Sequence, residues 1–211
     1  MFASPDRVSY TTTFPATEDP ISESGHWIGG KTVGVKWSDF KSTSGLAMGK
    51  QGGLTQAVYD DAIALLTGTW RPNQTAQATV KPINQNDNIF EELEIHLRST
   101  LTANNSTGYE CNFSARSSAN AYVQIVRWNG ALGDFHLIDG RAGDAYALHE
   151  GDTIKCPVNG STITAYINGV QKLQVKDATF TTGNPGIGAF LKNGAGVNSD
   201  YGFTSFTATT D

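Results

Sequence analysis

Hydrophobic and polar residues alternate along most of the chain, and this pattern predicts strands. The alternating segments are bounded by Gly, Asn, Asp and Pro, as expected for half-buried strands joined by turns. We predict strands near residues 8–14, 32–37, 45–49, 58–67, 75–83, 89–99, 107–116, 120–128, 133–138, 152–158, 162–167, 170–176, 185–191 and 200–208. Helical periodicity is nearly absent, and we assign the AIALLTG half of the one helix candidate, residues 55–68, to a strand.

Two local signals indicate how these strands connect. Asn168–Gly169 separates two alternating runs in TAYINGVQKLQV, and this pair tolerates the positive φ angles of a two-residue type I′ turn. NPGIG at 184–188 ends one strand and starts another. Short antiparallel connections without crossover helices predict an all-β fold, a two-sheet antiparallel β-sandwich or jelly roll. We assign residues 1–211 to a single domain, with a long polar surface excursion at about 15–31.

Composition and charge restrict the partners of the protein. The net charge of −5 has no basic block behind it, which disfavours nucleic acid as a partner. No apolar run approaches the ~20 residues that a membrane span requires. The first residues, MFASPDRVSYTTTF, lack a basic and an apolar signal region, so we expect no signal peptide in the chain as given. We expect an extracellular or virion-surface protein, which is either a mature form or is released by cell lysis.

The two cysteines are both predicted to point inward. Cys111 alternates in phase with Tyr109 and Phe113, and Cys156 is in phase with Ile154. Two cysteines are too few for a structural zinc site and lack the close spacing of a redox pair. A disulfide between neighbouring strands and two separate buried thiols are both compatible with this pattern.

The segment EELEIHLR, residues 91–98, carries the most unusual side chains of the chain. Ionisable residues occupy every second position, namely Glu92, Glu94, His96 and Arg98, with aliphatic residues between them. Because successive side chains of a strand point to opposite faces, the aliphatic residues are predicted to face the core and the ionisable row to face outward.

Neighbouring segments extend this polar row. The strand near 107–116 places Glu110, Asn112, Ser114 and Arg116 opposite its core-facing residues. The next predicted strand supplies Gln124 and Trp128, and either of its faces is compatible with the pattern there.

From about residue 90 onward the chain resembles the concanavalin A-like lectin and glucanase superfamily, particularly laminin-G-like bacterial and phage modules. The resemblance rests on EELEIHLR, GYECNFSAR, YVQIVRWNG, GDTIKCPVNGSTITAYINGVQKLQVKD, NPGIGAF and YGFTSFTA. It implies a jelly roll in which the outward face of a curved sheet forms a saccharide-binding groove. Members of this superfamily often hold one structural Ca²⁺, so the resemblance implies either no cofactor or a Ca²⁺ site built from distant loops.

The resemblance favours a non-catalytic lectin-like module that binds polysaccharide or coats a surface. The row also lacks the third carboxylate that glucanases of this superfamily carry, because His96 occupies that position. The module would be a phage decoration or tail component, or part of a secreted assembly. The expected partners are a polysaccharide or cell-surface glycan and neighbouring subunits of a virion or homo-oligomer. The predicted ligand-binding residues are Glu94, His96, Arg98, Asn112, Arg116, Gln124 and Trp128.

Two alternatives stay open at this point. A polysaccharide-cleaving enzyme, hydrolase or lyase, would use Glu92, Glu94, His96, Arg98 and Gln124. The superfamily's family 16-type glucanases carry Glu-x-Asp-x-Glu on one strand, whereas this chain places His96 at the third position. The other alternative is a plain solvated face, in which cross-strand pairs contribute only ~0.2–1 kcal/mol each.

Overall fold

Strands make up most of the structure, a computed structural model that describes residues 8–34, 36–52, 61–82, 90–192 and 198–210. In chain order they are β1 Ser9–Thr12, β2 Trp27–Gly29, β3 Phe40–Thr43, β4 Leu46–Gly49, β5 Asp61–Leu66, β6 Gln74–Val80, β7 Phe90–Thr102, β8 Asn105–Ser114, β9 Tyr122–Gly130, β10 Phe135–Ala142, β11 Thr153–Asn159, β12 Thr162–Ile167, β13 Val170–Lys176, β14 Asn184–Lys192 and β15 Phe203–Thr210. One short helix, α1 Gly30–Val33, and two 3₁₀ turns, Asp144–Tyr146 and Asn198–Asp200, complete the elements of the described residues.

The strands form two antiparallel sheets that pack face to face. The front sheet has the order β10-β9-β8-β7-β14-β5-β2. The back sheet has the order β13-β12-β11-β6-β15-β4-β3, and β1 also pairs with β15. This arrangement confirms the predicted all-β sandwich. Among the described residues, an apolar helix of membrane-spanning length is not found.

The hydrophobic core lies between the two sheets. Leu93, Ile95 and Leu97 of β7 are fully buried there, as the alternation of EELEIHLR predicts. Cys111 of β8 and Cys156 of β11 form a disulfide that joins the front sheet to the back sheet. The bond therefore connects opposite sheets rather than neighbouring strands, because both cysteines are core-facing members of facing strands.

The hairpin at Asn168–Gly169 is confirmed. Asn168 has φ +50° and Gly169 has φ +75°, and Ile167 pairs with Val170 across the turn. Two positive φ angles are what a type I′ turn requires.

Two sequence predictions differ from the structure near the amino end. The predicted strand at 32–37 is replaced in part by the helical turn α1, which ends at Gly34 with φ +97°. The predicted surface excursion at 15–31 lies only partly at the surface, because Ile21 and Trp27 are buried in the core and Trp27 opens β2. For the helix candidate at 55–68, Asp61–Leu66 is strand β5 and residues 55–60 lie outside the described residues.

Candidate functional site

The polar row of β7 faces away from the sandwich core, on the outward face of the front sheet. Glu92, Glu94 and His96 alternate with the three buried aliphatic residues. Strand β8 continues the row sideways, since Glu94 pairs with Asn112 and His96 pairs with Glu110. The predicted orientation of these side chains is therefore confirmed.

Arg98 does not belong to this row, contrary to the sequence prediction. The pairing of β7 with β8 shifts between Leu97 and Thr100, and Arg98 adopts φ +49°. A β-bulge of this kind interrupts the alternation of side chains. The guanidinium instead donates to the carbonyl oxygens of Pro72 at 2.7 Å and Phe180 at 2.9 Å. Arg98 is therefore a structural residue at the end of the sandwich.

The centre of the row is closed to solvent, whereas the resemblance implied an open groove. A second hydrophobic cluster lies on the outward face of the front sheet and consists of Trp37, Ile63, Leu65, Val126 and Trp128. The rings of Trp37 and Trp128 pack edge to face with centroids 5.2 Å apart. Since Ile63 and Trp128 come from strands on opposite flanks of β7, this cluster covers the row, and Glu94 and His96 are only 1% and 2% exposed.

Three ionisable side chains converge beneath this cover. Glu94, His96 and Glu110 each offer one ligand atom, and these atoms lie within 4.8 Å of one another. Nε2 of His96 is 3.3 Å from Oε2 of Glu94. The indole N–H of Trp128 donates to Oε2 of Glu110 at 2.6 Å and fixes that carboxyl group. We call Glu94, His96 and Glu110 the buried triad.

Gly188 of β14 makes room for the buried triad. A Cβ atom at this position would lie 2.0 Å from Oε2 of Glu94 and 2.4 Å from Nε2 of His96. Gly188 pairs directly with Glu94 across the sheet. The two side chains therefore occupy the space that any larger residue would fill.

Burial perturbs the ionisation of the triad. Desolvation, followed by the negative charges of Glu110 and Asp61, raises the pKa of Glu94 well above its ordinary value. Desolvation also raises the pKa of Glu110, and it lowers the pKa of His96 to about 3. Oε1 of Glu94 has no hydrogen-bond partner among the described residues. The triad thus combines two carboxyl groups whose ionised forms are disfavoured by burial with an unsatisfied acceptor.

A small cavity opens beside the buried triad at the Glu92 end of the row. Its volume is about 110 Å³. The residues that line it are Asp61, Glu92, Glu110, Asn112, Gln124, Val126, Trp128, Phe135 and Phe190. The Asn112 amide donates to Oε2 of Glu92 at 3.2 Å and to Oε1 of Gln124 at 3.4 Å. Three polar side chains from three adjacent strands therefore form the floor of this cavity.

Glu92 is the accessible carboxyl group of the row. The Tyr122 hydroxyl donates to Oε1 of Glu92. Burial raises the pKa of Glu92 to about 7, although the Tyr122 hydrogen bond and the Arg116 charge oppose this. Arg116 itself lies over the Phe90 ring, 4.4 Å from its centroid. The predicted binding residue Arg116 therefore does not line the cavity.

An open groove continues from the cavity along β10. Its volume is about 500 Å³, and it is lined by residues 137–142 together with Tyr122 and Gln124. Gln124 lines both the cavity and the groove. Phe135 and Leu137 on the same strand are 36% and 45% exposed, so this side of the front sheet offers apolar surface beside polar groups.

The sequence prediction brought together most of the row but missed its surroundings. Glu94, His96, Asn112, Gln124 and Trp128 lie around one region of the front sheet, whereas Arg98 points elsewhere. Trp128 is 4% exposed and serves as cover and hydrogen-bond donor rather than as an open stacking surface.

The missed members are Asp61, Trp37 and Phe135. Asp61 could have been found from the alternation of DAIALL, since it is in phase with the outward face of β5. Trp37 lies in the connection between α1 and β3, so the alternation that predicted a strand at 32–37 was misleading there.

Comparison with known proteins adds structural neighbours. No protein-family model and no curated protein sequence matches the chain. The structure is similar to carbohydrate binding module CBM66 from Bacillus subtilis, with a TM-score of 0.57 and 17% identity, over 82% of this chain and 96% of that module. The exoplasmic/lumenal domain of VIP36 in its Ca²⁺/Man2-bound form gives 0.62 and 9% identity, over 96% and 87%.

An enzyme has a similar structure as well. The GlcNAcα1-4Gal releasing endo-β-galactosidase from Clostridium perfringens gives a TM-score of 0.56 and 8% identity, over 95% of this chain and 61% of that enzyme. At such identities the likeness concerns the fold alone, because one fold hosts many unrelated sites. The chain therefore shares its two-sheet jelly-roll fold with these three proteins.

Proposed function

We propose that the chain is a non-catalytic, lectin-like module that binds carbohydrate at the cavity beside Glu92. The observation that carries this proposal is the convergence of Glu92, Asn112 and Gln124 beneath a partly exposed Phe135 ring. Sites for small molecules combine a few placed polar groups with apolar walls. The expected ligand is a polysaccharide or a cell-surface glycan.

The chemistry of the cavity suits a sugar residue. Carboxylate oxygens accept hydrogen bonds from hydroxyl groups, and amide side chains both donate and accept. The partly exposed Phe135 ring lines the cavity and would offer an aromatic surface for the C–H side of a pyranose. At about 110 Å³ the cavity is small beside the ~300–1,000 Å³ of pockets for drug-sized ligands. It therefore suits one sugar residue, with the rest of a chain lying in the groove along β10.

Two neighbours support a saccharide ligand. VIP36 is described in Man2-bound and Man3GlcNAc-bound forms, and CBM66 is described as a carbohydrate binding module. These ligands belong to those proteins. For this chain they favour a glycan over other small molecules as the proposed ligand.

We propose an extracellular or virion-surface location for the module. The Cys111–Cys156 disulfide supports an oxidising setting, since such bonds persist outside the cytosol. In a phage decoration, tail or secreted assembly the partners would include neighbouring subunits. Light scattering after size exclusion would show whether the isolated chain forms a homo-oligomer, and a monomer at all concentrations would count against that partner.

Gln124 offers the sharpest test of the binding site. We expect wild-type protein to be retained on a glycan array and Gln124→Ala to lose about two- to tenfold in affinity for the same glycan, since one hydrogen bond contributes ~0.5–1.5 kcal/mol net. Gln171→Ala is the matched control, because Gln171 is exposed on edge strand β13 of the back sheet. Equal affinity of all three proteins would contradict the location of the site.

A polysaccharide-cleaving enzyme is the second candidate function. It is favoured by two carboxyl groups that line the cavity, Glu92 and, on the neighbouring strand, Glu110. The Tyr122 hydroxyl donates a hydrogen bond to Glu92. The cover over Glu94 and His96 and the departure of Arg98 weigh against it.

The second candidate has its own assay. Incubation with neutral and uronate polysaccharides would be followed by reducing ends and by absorbance of an unsaturated product. Product that disappears in Glu92→Gln would replace the lectin proposal with a catalytic one. Absence of product together with retention on glycans would reject catalysis.

A further inference from the structure

We propose that the buried triad of Glu94, His96 and Glu110 is a binding site for a divalent first-row transition metal ion such as Zn²⁺ or Mn²⁺. The three ligand atoms lie within 4.8 Å of one another on adjacent strands β7 and β8. The metal site adjoins the cavity proposed for carbohydrate, because Glu110 also lines that cavity. The proposal holds whether or not the chain binds a glycan.

The spacing of the ligand atoms fits a metal ion after a small contraction. Metal–nitrogen and metal–oxygen bonds of ~2.1 Å place two tetrahedral ligands ~3.4 Å apart. Nε2 of His96 and Oε2 of Glu94 are already 3.3 Å apart. The widest separation in the triad, up to 4.8 Å, closes with rotations of side chains that move oxygen atoms by about an ångström, within the freedom of χ3 in glutamate.

Charge and hydrogen bonding point to a cation rather than to an empty polar cluster. Glu94 is 1% exposed and Glu110 is 3% exposed, and two buried carboxylates without compensation are costly. Oε1 of Glu94 accepts no hydrogen bond from the described residues. A divalent cation beside a neutral imidazole would cancel two carboxylate charges and satisfy this oxygen at once.

The surroundings of the triad resemble a prepared ligand shell. Trp128 donates to Glu110 at 2.6 Å, and such outer hydrogen bonds orient metal-binding groups. Gly188 leaves open the space in which Glu94 and His96 meet. Because one ligand is an imidazole nitrogen and the ligands are few, the set suits Zn²⁺ or Mn²⁺ better than Ca²⁺, which prefers six to eight oxygen ligands.

Metal titration of the full chain tests this proposal. We expect chelator-treated protein to take up one Zn²⁺ per chain, measured by competition with a chromophoric chelator and by elemental analysis. Glu94→Gln and Glu110→Gln should each weaken binding by at least about 100-fold, since even loss of an outer partner costs 10–100-fold. Glu150→Gln is the matched control, because Glu150 lies exposed in a turn, and it should bind as wild type does.

Co²⁺ provides a readout that does not depend on the variants folding. Wild-type protein loaded with Co²⁺ should show the intense visible absorption of a tetrahedral or five-coordinate site, and Zn²⁺ should displace it. Circular dichroism would show which variants fold. Uptake well below one ion per chain, a Co²⁺ spectrum like that of the aqueous ion, or equal affinity in folded Glu94→Gln would each overturn the proposal.

Discussion

The Cys111–Cys156 disulfide should supply a large share of the stability of the sandwich. The two cysteines are separated by 45 residues and both are fully buried. In the chain-entropy model, closing a loop of this length removes unfolded-state entropy worth ~4 kcal/mol at 25 °C. Since a domain is stable by only about 5–15 kcal/mol in total, reduction of this one bond should lower the free energy of unfolding substantially.

Equilibrium unfolding in guanidinium chloride, with and without a reductant, measures this contribution in protein of unchanged sequence. We expect the reductant to lower the free energy of unfolding of wild-type protein by about 4 kcal/mol. The m value should rise, because the unfolded chain without its cross-link exposes more surface. The Cys111→Ala/Cys156→Ala double variant is the control, and the reductant should not change its unfolding.

Two results would refute this reasoning. If wild-type protein unfolded without reductant shows two free thiols, the bond is absent. If the bond is present but its reduction changes the free energy of unfolding by less than about 1 kcal/mol, the loop between the strands is already ordered in the unfolded state, and the entropic account fails.

Three further changes probe the charge network, the site and the turn. Hydrogen bonds from Tyr109 and Thr179 and the charge of Arg127 lower the pKa of Asp177 to about 2, although burial of the carboxyl group opposes this shift. The ionised Asp177 therefore stabilises the fold above about pH 4, and this stabilisation is lost as the pH falls toward 2. Asp177→Asn should therefore cost ~1–2 kcal/mol at pH 7 and little at pH 2, by urea unfolding. Gly188→Ala should cost ~1–3 kcal/mol, by thermal melting, because its Cβ would lie 2.0 Å from Oε2 of Glu94. Gly169→Ala should cost ~1 kcal/mol by urea unfolding, because φ is +75° with open space around it.

Controls and contrary outcomes separate these three effects. Asp139→Asn, which removes a surface carboxylate paired with Arg141, should leave stability nearly unchanged. An equal loss from Asp177→Asn at pH 7 and pH 2 would show that packing rather than charge is at work. If Gly188→Ala is as stable as wild type, the triad can move aside, and the tight space described for it is not a constraint.

The fold was predictable because its signals are local and redundant. Alternation assigned β7, β8 and β12 to strands, and Asn168–Gly169 fixed one hairpin. The helical turn α1 at Gly30–Val33 was missed, because the alternation of residues 32–37 gives no hint that Gly34 ends a helical turn with φ +97°. The bulge at Arg98 was missed for a similar reason, since a positive φ in an arginine has no signature in the sequence.

The direction of the site residues was predictable, but their exposure was not. The period of two in EELEIHLR decides which face Glu94 and His96 take. Whether that face meets solvent depends on Trp37 and Ile63, which are distant in sequence from the row and pack in the cluster that covers it. Burial of a polar row by distant side chains is a property of the tertiary structure, whereas the polar pattern of β7 alone predicts an exposed row.

Burial of the row also counts against one interpretation that the sequence left open, the plain solvated face. A solvated face stabilised by cross-strand pairs requires charges that stay in water, where each pair contributes only ~0.2–1 kcal/mol. Glu94 and Glu110 lie out of water instead, and desolvation of a charge costs several kcal/mol per ion. Such a cost must be removed by protonation or by a bound cation. If the two carboxyl groups are protonated, they stay neutral when the solution contains Zn²⁺. If they form a metal site, they bind the ion with a defined stoichiometry. The metal titration proposed for the buried triad therefore also tests how the cost of burying Glu94 and Glu110 is removed.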